Sequence, residues 1–324
     1  MLDFNYNSNH IEGNTLTYGQ TEVLLLLGEV IGEARMRDLE EMKAHNICLN
    51  MIEQEADADT PLTETFIRQV HRVMLREDFT VYRTLPGGET SSYVVHAGSY
   101  KTRPNSVITP TGERFEYASP EETPALMTDL VDWYNRAVEE KSLTPIQIAT
   151  LFHYRYIRIH PFEDGNGRIA RLMVNFILRR HGWPMLVIRS SKKQAYLNAL
   201  ALTDTIAGPI PSEGAHATLS QVKPFADYLE KAMVSHIYDI MEFLSGNKEL
   251  KWWYDGEIIE FSTPTPSRIL NILKADPTAS LTKIAQQLNM NRSAIQKQVK
   301  NLERKGYIRR PEGKKRGWIV NLKQ

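Results

Sequence analysis

The spacing of apolar residues along the chain predicts a protein built mainly of α-helices. Over residues 17–56, apolar side chains recur every three or four positions, which is the period of one or two long amphipathic helices. Residues 61–76 have the same period, with Thr60 as the predicted capping residue, and Thr144 is predicted to cap a helix that starts with proline. The same period predicts helices at 121–139, 145–159, 168–180, 192–207 and 221–244.

Two segments have a different pattern. Residues 93–117 are rich in β-branched and aromatic residues, so we expect a short β-hairpin there. Glycines and prolines interrupt this segment at Gly98, Pro104, Pro110 and Gly112. Residues 246–262 are interpreted as a connector, although Trp252 and Trp253 indicate that it packs on another part of the chain.

The helical period restarts at Thr265 and predicts a second domain at 263–324. Its predicted helices are 266–275, 281–288 and 292–305, followed by a two-stranded wing with a turn at 311–317. This order resembles the winged helix family, which implies a recognition helix and a basic wing that bind DNA. The residues expected to face DNA are Arg292, Ser293, Gln296, Lys300, Arg309, Arg310 and Lys314 to Arg316. A protein-docking or dimerisation module with the same fold is the alternative.

Charge is unevenly spread along a chain of ordinary composition, with 42% hydrophobic and 24% charged residues. Residues 263–324 hold 14 Lys and Arg against 3 Asp and Glu, a net charge of +11, which leaves −11 on the first 262 residues. This asymmetry favours two functionally distinct bodies, of which the basic one suits duplex DNA.

The sequence also indicates a compartment. The single cysteine, Cys48, excludes an internal disulfide and is typical of a reducing environment. No apolar run reaches the length of a membrane-spanning helix, and the first residues lack the basic start of a signal peptide. We therefore expect a cytoplasmic protein without a membrane partner, and the sequence leaves a homodimer open.

The candidate chemistry is concentrated in one stretch, 160–171, which reads His-Pro-Phe-Glu-Asp-Gly-Asn-Gly-Arg-Ile-Ala-Arg. Gly165 and Gly167 allow the backbone to come close to a ligand. The stretch leads into the predicted helix at 168–180, whose free N–H groups and dipole favour an anion in the loop.

Charged and titratable side chains narrow the expected ligand to a polyphosphate. Arg168 and Arg171 lie three residues apart, and two guanidinium groups at a helix start can each bind phosphate oxygens with two hydrogen bonds. Asp164 fits beside them if Mg²⁺ bridges it to the phosphates. His160 is the proton acceptor in the loop, because the ordinary pKa of histidine lies near neutrality.

Three other interpretations of the stretch explain less of it. A Gly-x-Gly-x-x-Ala run fits a dinucleotide fingerprint, but that motif needs its first glycine directly after a strand. A metal hydrolase with His153, His160 and Asp164 has no obvious fourth ligand, and His153 better fits a core histidine on an apolar helix face. A solvated loop would not explain why two glycines and two arginines occur together.

The stretch contains every fixed position of the motif His-x-Phe-x-(Asp/Glu)-Gly-Asn-Gly-Arg-x-x-Arg, and the chain thereby resembles the Fic family. The resemblance implies transfer of AMP from ATP to a Tyr, Ser or Thr hydroxyl of a target protein. His160 would be the base, Asp164 would hold Mg²⁺ on the phosphates, and Phe162 would anchor the loop. The residues implied to bind the nucleotide phosphates are Gly165, Asn166, Gly167, Arg168 and Arg171.

Residues 8–14 resemble the inhibitory segment of that family, (Ser/Thr)-x-x-x-Glu-(Gly/Asn). The residues implied to inhibit are Ser8, Glu12 and Asn14. In the family, the glutamate pairs with the second arginine of the motif, here Arg171, and keeps it from binding the γ-phosphate of ATP productively. The resemblance therefore implies an auto-inhibited enzyme. From spacing alone, the segment is only a helix that ends at a glycine.

Two more stretches resemble parts of the same family. Residues 97–103 resemble the Gly-x-(Tyr/Phe)-Arg run that precedes a target-binding β-flap, with Lys101 where arginine is usual. Such a flap holds its target by strand addition, and a plain surface loop is the alternative. Tyr196 lies in a Tyr-x-x-Ala-Leu run that helps to line the nucleoside pocket, so either an adenine contact or a core position is expected for it.

These observations predict a mainly α fold with a small β-hairpin flap and a winged helix-turn-helix domain. The expected divisions are N-terminal helices with the inhibitory segment at 1–60, a Fic catalytic core at 61–245, a connector at 246–262 and the winged helix at 263–324. The expected function is an auto-inhibited protein adenylyltransferase. Two alternatives stay open: a DNA-binding regulator that senses nucleotide through the Fic pocket, and a hydrolase that removes AMP, with Glu12 orienting a water.

Overall fold

Helices build the first of the two units into which the chain divides, residues 1–236. The computed structural model describes residues 1–58, 60–84, 90–108, 114–244, 251–254, 257–310 and 317–322. The helices that lie in or start in this unit are α1 (Leu2–Ile11), α2 (Tyr18–Leu27), α3 (Met36–Asp57), α4 (Glu64–Leu75), α5 (Thr123–Glu140), α6 (Pro145–Ile159), α7 (Asn166–Arg180), α8 (Lys193–Ala207), α9 (Pro211–Ala215) and α10 (Lys223–Leu244).

Helices α6 and α7 form the centre of this unit. α6 starts with a capping box, in which the side chains of Thr144 and Gln147 each accept a hydrogen bond from the other residue's backbone. α7 buries apolar side chains on all its faces from Ile169 to Leu178 and packs against α3 and α6. Because both helices are buried, the loop 160–165 that joins them is fixed at both ends.

Two helix starts differ from the predicted ones. α4 is capped by Thr63 and not by Thr60, because the Thr63 hydroxyl accepts a hydrogen bond from the Phe66 backbone at 3.1 Å. α7 starts at Asn166, two residues earlier than predicted, so that Gly165 is its N-cap.

Two small antiparallel hairpins lie between α4 and α5. β1 (Phe79–Thr84) pairs with β2 (Thr90–Val95), and β3 (Val107–Ile108) pairs with β4 (Arg114–Phe115). The prediction of one hairpin over 93–117 is therefore confirmed in part, since β1 and the start of β2 lie before it. Pro110 and Gly112 of that prediction lie outside the described residues.

A third hairpin corrects the predicted connector at 246–262. β5 (Lys251–Tyr254) pairs with β6 (Glu257–Glu260) within the second unit, residues 237–324. The Trp252 side chain is fully buried in the core of that unit, and its Nε1 donates a hydrogen bond to Ser267 Oγ at 2.8 Å. The burial of so large a ring explains why this segment is folded.

The rest of the second unit has the predicted helix-turn-helix order. Helices α11 (Pro264–Ala275), α12 (Leu281–Gln287) and α13 (Arg292–Arg304) precede strands β7 (Ile308–Arg309) and β8 (Ile319–Val320), which pair as the strands of a wing do. Lys314 to Arg316, which were expected to line the wing, lie outside the described residues. Across the described ranges of the chain, no helix is long and apolar enough to cross a membrane.

His153 lies on the buried side of α6, as expected of a core histidine. Its Nε2 shares a hydrogen bond with the Tyr196 hydroxyl at 2.9 Å. Burial, with a contribution from the Arg171 charge, lowers the pKa of His153 to about 3, so the ring is neutral in the folded protein at neutral pH. This ring therefore belongs to the core.

We expect Trp252→Ala to lower the free energy of unfolding of the second unit by about 3–5 kcal/mol, the usual cost of removing a buried aromatic side chain. Trp253→Ala is the matched control and should cost less, because this neighbouring ring is only half-buried. Urea denaturation of the full chain measures both losses. Equal losses in the two variants would contradict the assignment of the hairpin to this core.

The acid stability of the first unit should depend on His153. Below the ordinary value of 6.5, the unfolded chain binds a proton that the folded chain does not, so stability is lost as the pH falls toward about 3. The loss is at most about 1.4 kcal/mol per pH unit. His153→Gln should flatten this decline in urea denaturation between about pH 7 and about pH 5, whereas the change His216→Gln at an exposed position should not. An unchanged slope in His153→Gln would mean that the ring is not held neutral.

Candidate active site

His160 ends α6 and begins the loop. Its backbone is left-handed, with φ 50° and ψ 60°, which turns the chain out of the helix and is uncommon for a residue other than glycine. The Tyr117 ring stacks on the imidazole, with centroids 3.9 Å apart and planes at 16°. Burial, helped by the Lys101 charge, lowers the pKa of His160 to about 3. The imidazole is therefore neutral at neutral pH, but in this state it binds a proton more weakly than the near-neutral pKa expected from the sequence would allow.

Two side chains from the segment after β2 hold this loop by its carbonyl groups. Lys101 Nζ donates hydrogen bonds to Ile159 O and to Asn105 Oδ1, both at 2.9 Å. Asn105 Nδ2 donates to His160 O at 3.1 Å and to Phe162 O at 2.8 Å. Burial lowers the pKa of Lys101 to about 8. The lysine at the family's arginine position thus binds the end of α6 with its side chain, and its backbone N–H donates to Pro161 O in the loop at 2.8 Å. Asn105 is a site residue that no sequence pattern indicated.

A further residue outside the motif, His71 on α4, supports the same loop. Its ring stacks on Phe162, with centroids 3.7 Å apart and planes at 3°. Gly98 N donates to His71 Nδ1 at 2.9 Å, which assigns the proton to Nε2, and Nε2 donates to Asp164 O at 3.1 Å. Burial lowers the pKa of His71 to about 4, so the neutral ring keeps both bonds. The apolar period of α4 predicts a buried position for His71 but not this contact.

The glycines and the asparagine shape the start of α7. Gly165 is left-handed, with φ 77°, and caps the helix. The buried Asn166 side chain is turned back on Phe162: its Nδ2 donates to Phe162 O at 2.7 Å, and its Oδ1 accepts from Phe162 N at 3.0 Å. This turn therefore offers its backbone N–H groups, and not the Asn166 side chain, to a phosphate.

Arg171 is buried and binds the C-terminal end of α1. Its Nε donates to Ser8 Oγ at 3.0 Å, and its Nη2 donates to Ser8 O and Glu12 Oε1, both at 2.8 Å. Burial alone would raise the pKa of Glu12, but Arg171 holds it below its ordinary value, so the carboxylate is charged. A Cβ atom on Gly167 would lie 2.5 Å from Glu12 Oε1. Glu12 therefore lies against the N-terminus of α7, where glycine leaves room for it.

Asp164 and Arg168 lie on the same loop and helix start. Asp164 Oδ1 accepts a hydrogen bond from Gly165 N at 2.7 Å, and Oδ2 lies 4.0 Å from Arg168 Nη2. The Asp164 side chain is 43% exposed, so it can bind a ligand. No group of three metal-binding side chains occurs among the residues that the structure describes. A single carboxylate fits Mg²⁺ on a nucleotide, since Mg²⁺ takes one or two protein carboxylates and completes its shell with phosphates and water.

Asn14 lies apart from the Glu12–Arg171 pair, unlike its expected place in an inhibitory group. Its Nδ2 donates to Asp38 O at 2.9 Å, and its Oδ1 accepts from Leu16 N at 3.2 Å. Because both ends of the amide are used in this way, Asn14 fixes the turn after α1.

A cavity of about 630 Å³ joins these residues. Its charged lining includes Glu12, His160, Asp164, Arg168, Arg171 and Lys193. Its more apolar lining includes Phe115, Tyr117, Ile157, Leu197 and Leu200, with Asp204 beside them. Tyr196 also borders the cavity, although only 2% of the residue is exposed and its hydroxyl is bound to His153. A cavity of this size, charged at one part and apolar at another, suits a nucleotide.

Comparison with known proteins gives matches to both units. Residues 61–178 match the Fic/DOC family, and residues 263–309 match the winged helix-turn-helix DNA-binding family. A solved Fic domain-containing signaling protein from Bacteroides thetaiotaomicron is 55% identical, with a TM-score of 0.69, over 76% of this chain and 87% of its own. Solved Fic-1 from Caenorhabditis elegans is 26% identical, with a TM-score of 0.56, over 76% of this chain and 64% of its own.

A curated relative carries an activity in its name. Protein adenylyltransferase fic-1 from Caenorhabditis briggsae is 27% identical over 75% of this chain, and the chain spans 42% of the length of that protein. The likeness to the Bacteroides protein is stronger and covers most of both chains. With the family match across the loop and α7, it establishes that the chain belongs to the Fic/DOC family and carries a winged helix-turn-helix in its second unit.

Proposed function

We propose that this chain is an auto-inhibited protein adenylyltransferase, which transfers AMP from ATP to a Tyr, Ser or Thr hydroxyl of a protein, including its own. One observation carries most of the proposal: Glu12 pairs with the buried Arg171 against the N-terminus of α7, and His160 lines the same cavity. A helix start and an arginine together favour an anion, so this carboxylate lies where a phosphate would bind.

His160 supplies the base for the transfer. Its neutral imidazole takes the proton of the attacking hydroxyl, whose oxygen forms a bond to the α-phosphorus of ATP. The bond from that phosphorus to the bridging oxygen breaks, and pyrophosphate leaves with the electron pair. The hydrogen bonds that Asn105 donates to His160 O and Phe162 O keep the imidazole in place, as catalysis by positioning requires.

The start of α7 binds the nucleotide in this proposal. The backbone from Gly165 to Gly167, with Arg168 and Arg171, binds the phosphates, and Tyr196 supports Arg171 from the core instead of contacting the adenine. When bound, Mg²⁺ on Asp164 would neutralise phosphate charge.

Glu12 inhibits by occupying Arg171. An Arg–carboxylate pair and an Arg–phosphate pair use the same guanidinium N–H groups, so the two compete. ATP that binds while Glu12 holds Arg171 has its outer phosphate displaced, and the α-phosphorus is misaligned for attack.

Removing the Glu12 carboxylate should raise turnover more than ATP affinity. We expect Glu12→Gly to raise the rate of AMP transfer at saturating ATP and Mg²⁺ by about tenfold or more. Adding His160→Ala to this variant should lower that rate ~10²–10⁴-fold. Asp57→Ala is the control: it removes an exposed carboxylate that pairs with Arg179 outside the cavity lining, and it should leave the rate of AMP transfer unchanged. Intact mass of the protein after incubation with labelled ATP measures the self-modification.

The other outcomes of this assay are informative. Equal rates for the wild type and Glu12→Gly would make α1 a scaffold only. A gain in transfer with a loss of AMP removal would add the hydrolytic role in which Glu12 orients a water. Nucleotide binding without transfer in any variant would favour a nucleotide sensor.

A second proposal concerns the second unit, which we infer binds duplex DNA. The residues expected on the recognition helix, Arg292, Ser293, Gln296 and Lys300, are all exposed, as is Arg309. They project from a segment with a net charge of +11, and phosphate contacts of Lys and Arg dominate such binding.

Salt dependence tests this DNA binding. In the full chain, Arg292→Ala and Lys300→Ala should each reduce the slope of log affinity against log salt by about 0.9 for a mixed-sequence duplex. Lys223→Ala, which removes an exposed lysine of the first unit, is the control. Affinity that ignores salt, or no binding to any duplex at low salt, would leave protein docking or dimerisation as the role of this unit.

A further inference from the structure

A buried chain of hydrogen bonds leads from α3 to Arg171. His45, on α3, is fully buried, and its Nδ1 lies 2.6 Å from Asn5 Oδ1. Its Nε2 lies 3.1 Å from Ser8 Oγ, which in turn lies 3.0 Å from Arg171 Nε. We call Asn5, His45, Ser8 and Arg171 the relay.

The protons of the relay have one consistent arrangement. Arg171 Nε can only donate, so Ser8 Oγ accepts its hydrogen bond. His45 Nδ1 faces Asn5 Oδ1, which can only accept, so the neutral ring carries its proton on Nδ1. Nε2 is then bare and accepts the single proton of the Ser8 hydroxyl. The Asn5 amide group agrees with this orientation, since its Nδ2 donates to Asn46 Oδ1 at 2.7 Å.

A charged His45 does not fit this arrangement. Both ring nitrogens would then donate, and the Ser8 hydroxyl would face two donors, with its own proton left without an acceptor. The added charge would also lie near two other cations. Burial, followed by the charges of Arg168 and Arg171, holds the pKa of His45 well below its ordinary value.

We propose that His45 is a positioning residue, which fixes the Arg171 guanidinium by holding the Ser8 hydroxyl as an acceptor. Ser8 then binds Arg171 at two points, Nε through its hydroxyl and Nη2 through its carbonyl. Nη2 also donates to Glu12, and in the proposed function this N–H faces the outer phosphate once Glu12 is removed. This step rests on the proposed function, because it assigns the nucleotide phosphate as the second partner of Arg171.

Packing alone would not require this chemistry. The His45 ring lies 5.4 Å from the Phe4 ring, so it also packs α3 against α1. Only a side chain with an acceptor at the position of Nε2 orients the Ser8 hydroxyl. Variants of His45 that change the hydrogen-bond acceptor and the side-chain volume separately therefore distinguish a positioning role from a packing role.

The tautomer of His45 can be measured in the wild-type protein without an activity assay. Nitrogen-15 NMR of the imidazole rings at neutral pH should show His45 with Nδ1 protonated and Nε2 bare. The chain has nine histidines, so the signal is assigned by its absence in His45→Gln. A His45 ring that is protonated on Nε2, or on both nitrogens, would overturn the proposal.

Nucleotide binding gives the second test, in a Glu12→Gly, His160→Ala background that binds ATP without turnover. His45→Leu should raise the Kd for ATP with Mg²⁺ about tenfold, since Arg171 loses a directed partner. His45→Gln, whose Oε1 can take the place of Nε2 as acceptor, should stay within about twofold. Ser8→Ala should raise this Kd as much as His45→Leu does. The double variant should have the same Kd as either single variant, because both changes act through one contact.

The outcomes separate the two proposals. Equal Kd values for His45→Leu and His45→Gln, or additive effects of His45→Leu and Ser8→Ala, would reduce His45 to a packing residue. Neither the NMR measurement nor the Kd depends on AMP transfer. An inactive Glu12→Gly variant would therefore contradict the adenylyltransferase proposal, whereas the tautomer and the Kd values would still test the role of His45.

Discussion

The buried positive charge of Arg171 is the constraint on which the site depends. Only 2% of this residue is exposed, and a buried charge is costly unless an anion and hydrogen bonds compensate it. In the structure, Glu12 supplies the anion and one hydrogen bond, and Ser8 supplies two more hydrogen bonds. In the proposed function, the position of α1 and the occupancy of the phosphate site therefore depend on this one interaction, and a nucleotide that replaces Glu12 must bind the same guanidinium.

The loop beside that charge is held mainly by residues far from it in sequence. Lys101 and Asn105 bind the carbonyl groups at the end of α6 and in the turn, and His71 binds Asp164 O from the other side. These contacts fix the left-handed backbone of His160 through carbonyl groups. They leave its imidazole out of the hydrogen bonds. The base role proposed for His160 needs such a rigid backbone, because small displacements of a base relative to the hydroxyl and the phosphorus cost much of the rate.

The sequence could predict more about the candidate site than about the residues that hold its loop in place. Short-range patterns were sufficient to locate most of the helices and the loop between α6 and α7, because a periodic face and a motif are both local, but they missed α9 and the starts of α4 and α7. His71 and Asn105 could not be predicted, since a buried polar side chain is defined by partners that only the fold brings to it. The connector at 246–262 was misassigned for a related reason: Trp252 is buried against Ser267 and the helices of the second unit. Asn14, which follows the inhibitory motif in sequence, was expected in the inhibitory group, yet its amide is used in a turn.

The central claim is that Glu12 and the outer phosphate of ATP compete for Arg171. A crystal structure of the Glu12→Gly variant with ATP and Mg²⁺ tests it most directly. The account predicts that the Arg171 guanidinium keeps its bonds to Ser8 and binds the γ-phosphate in the place that the Glu12 carboxylate held, over Gly167. A nucleotide bound with its γ-phosphate away from Arg171, while that space stays open, would contradict the account.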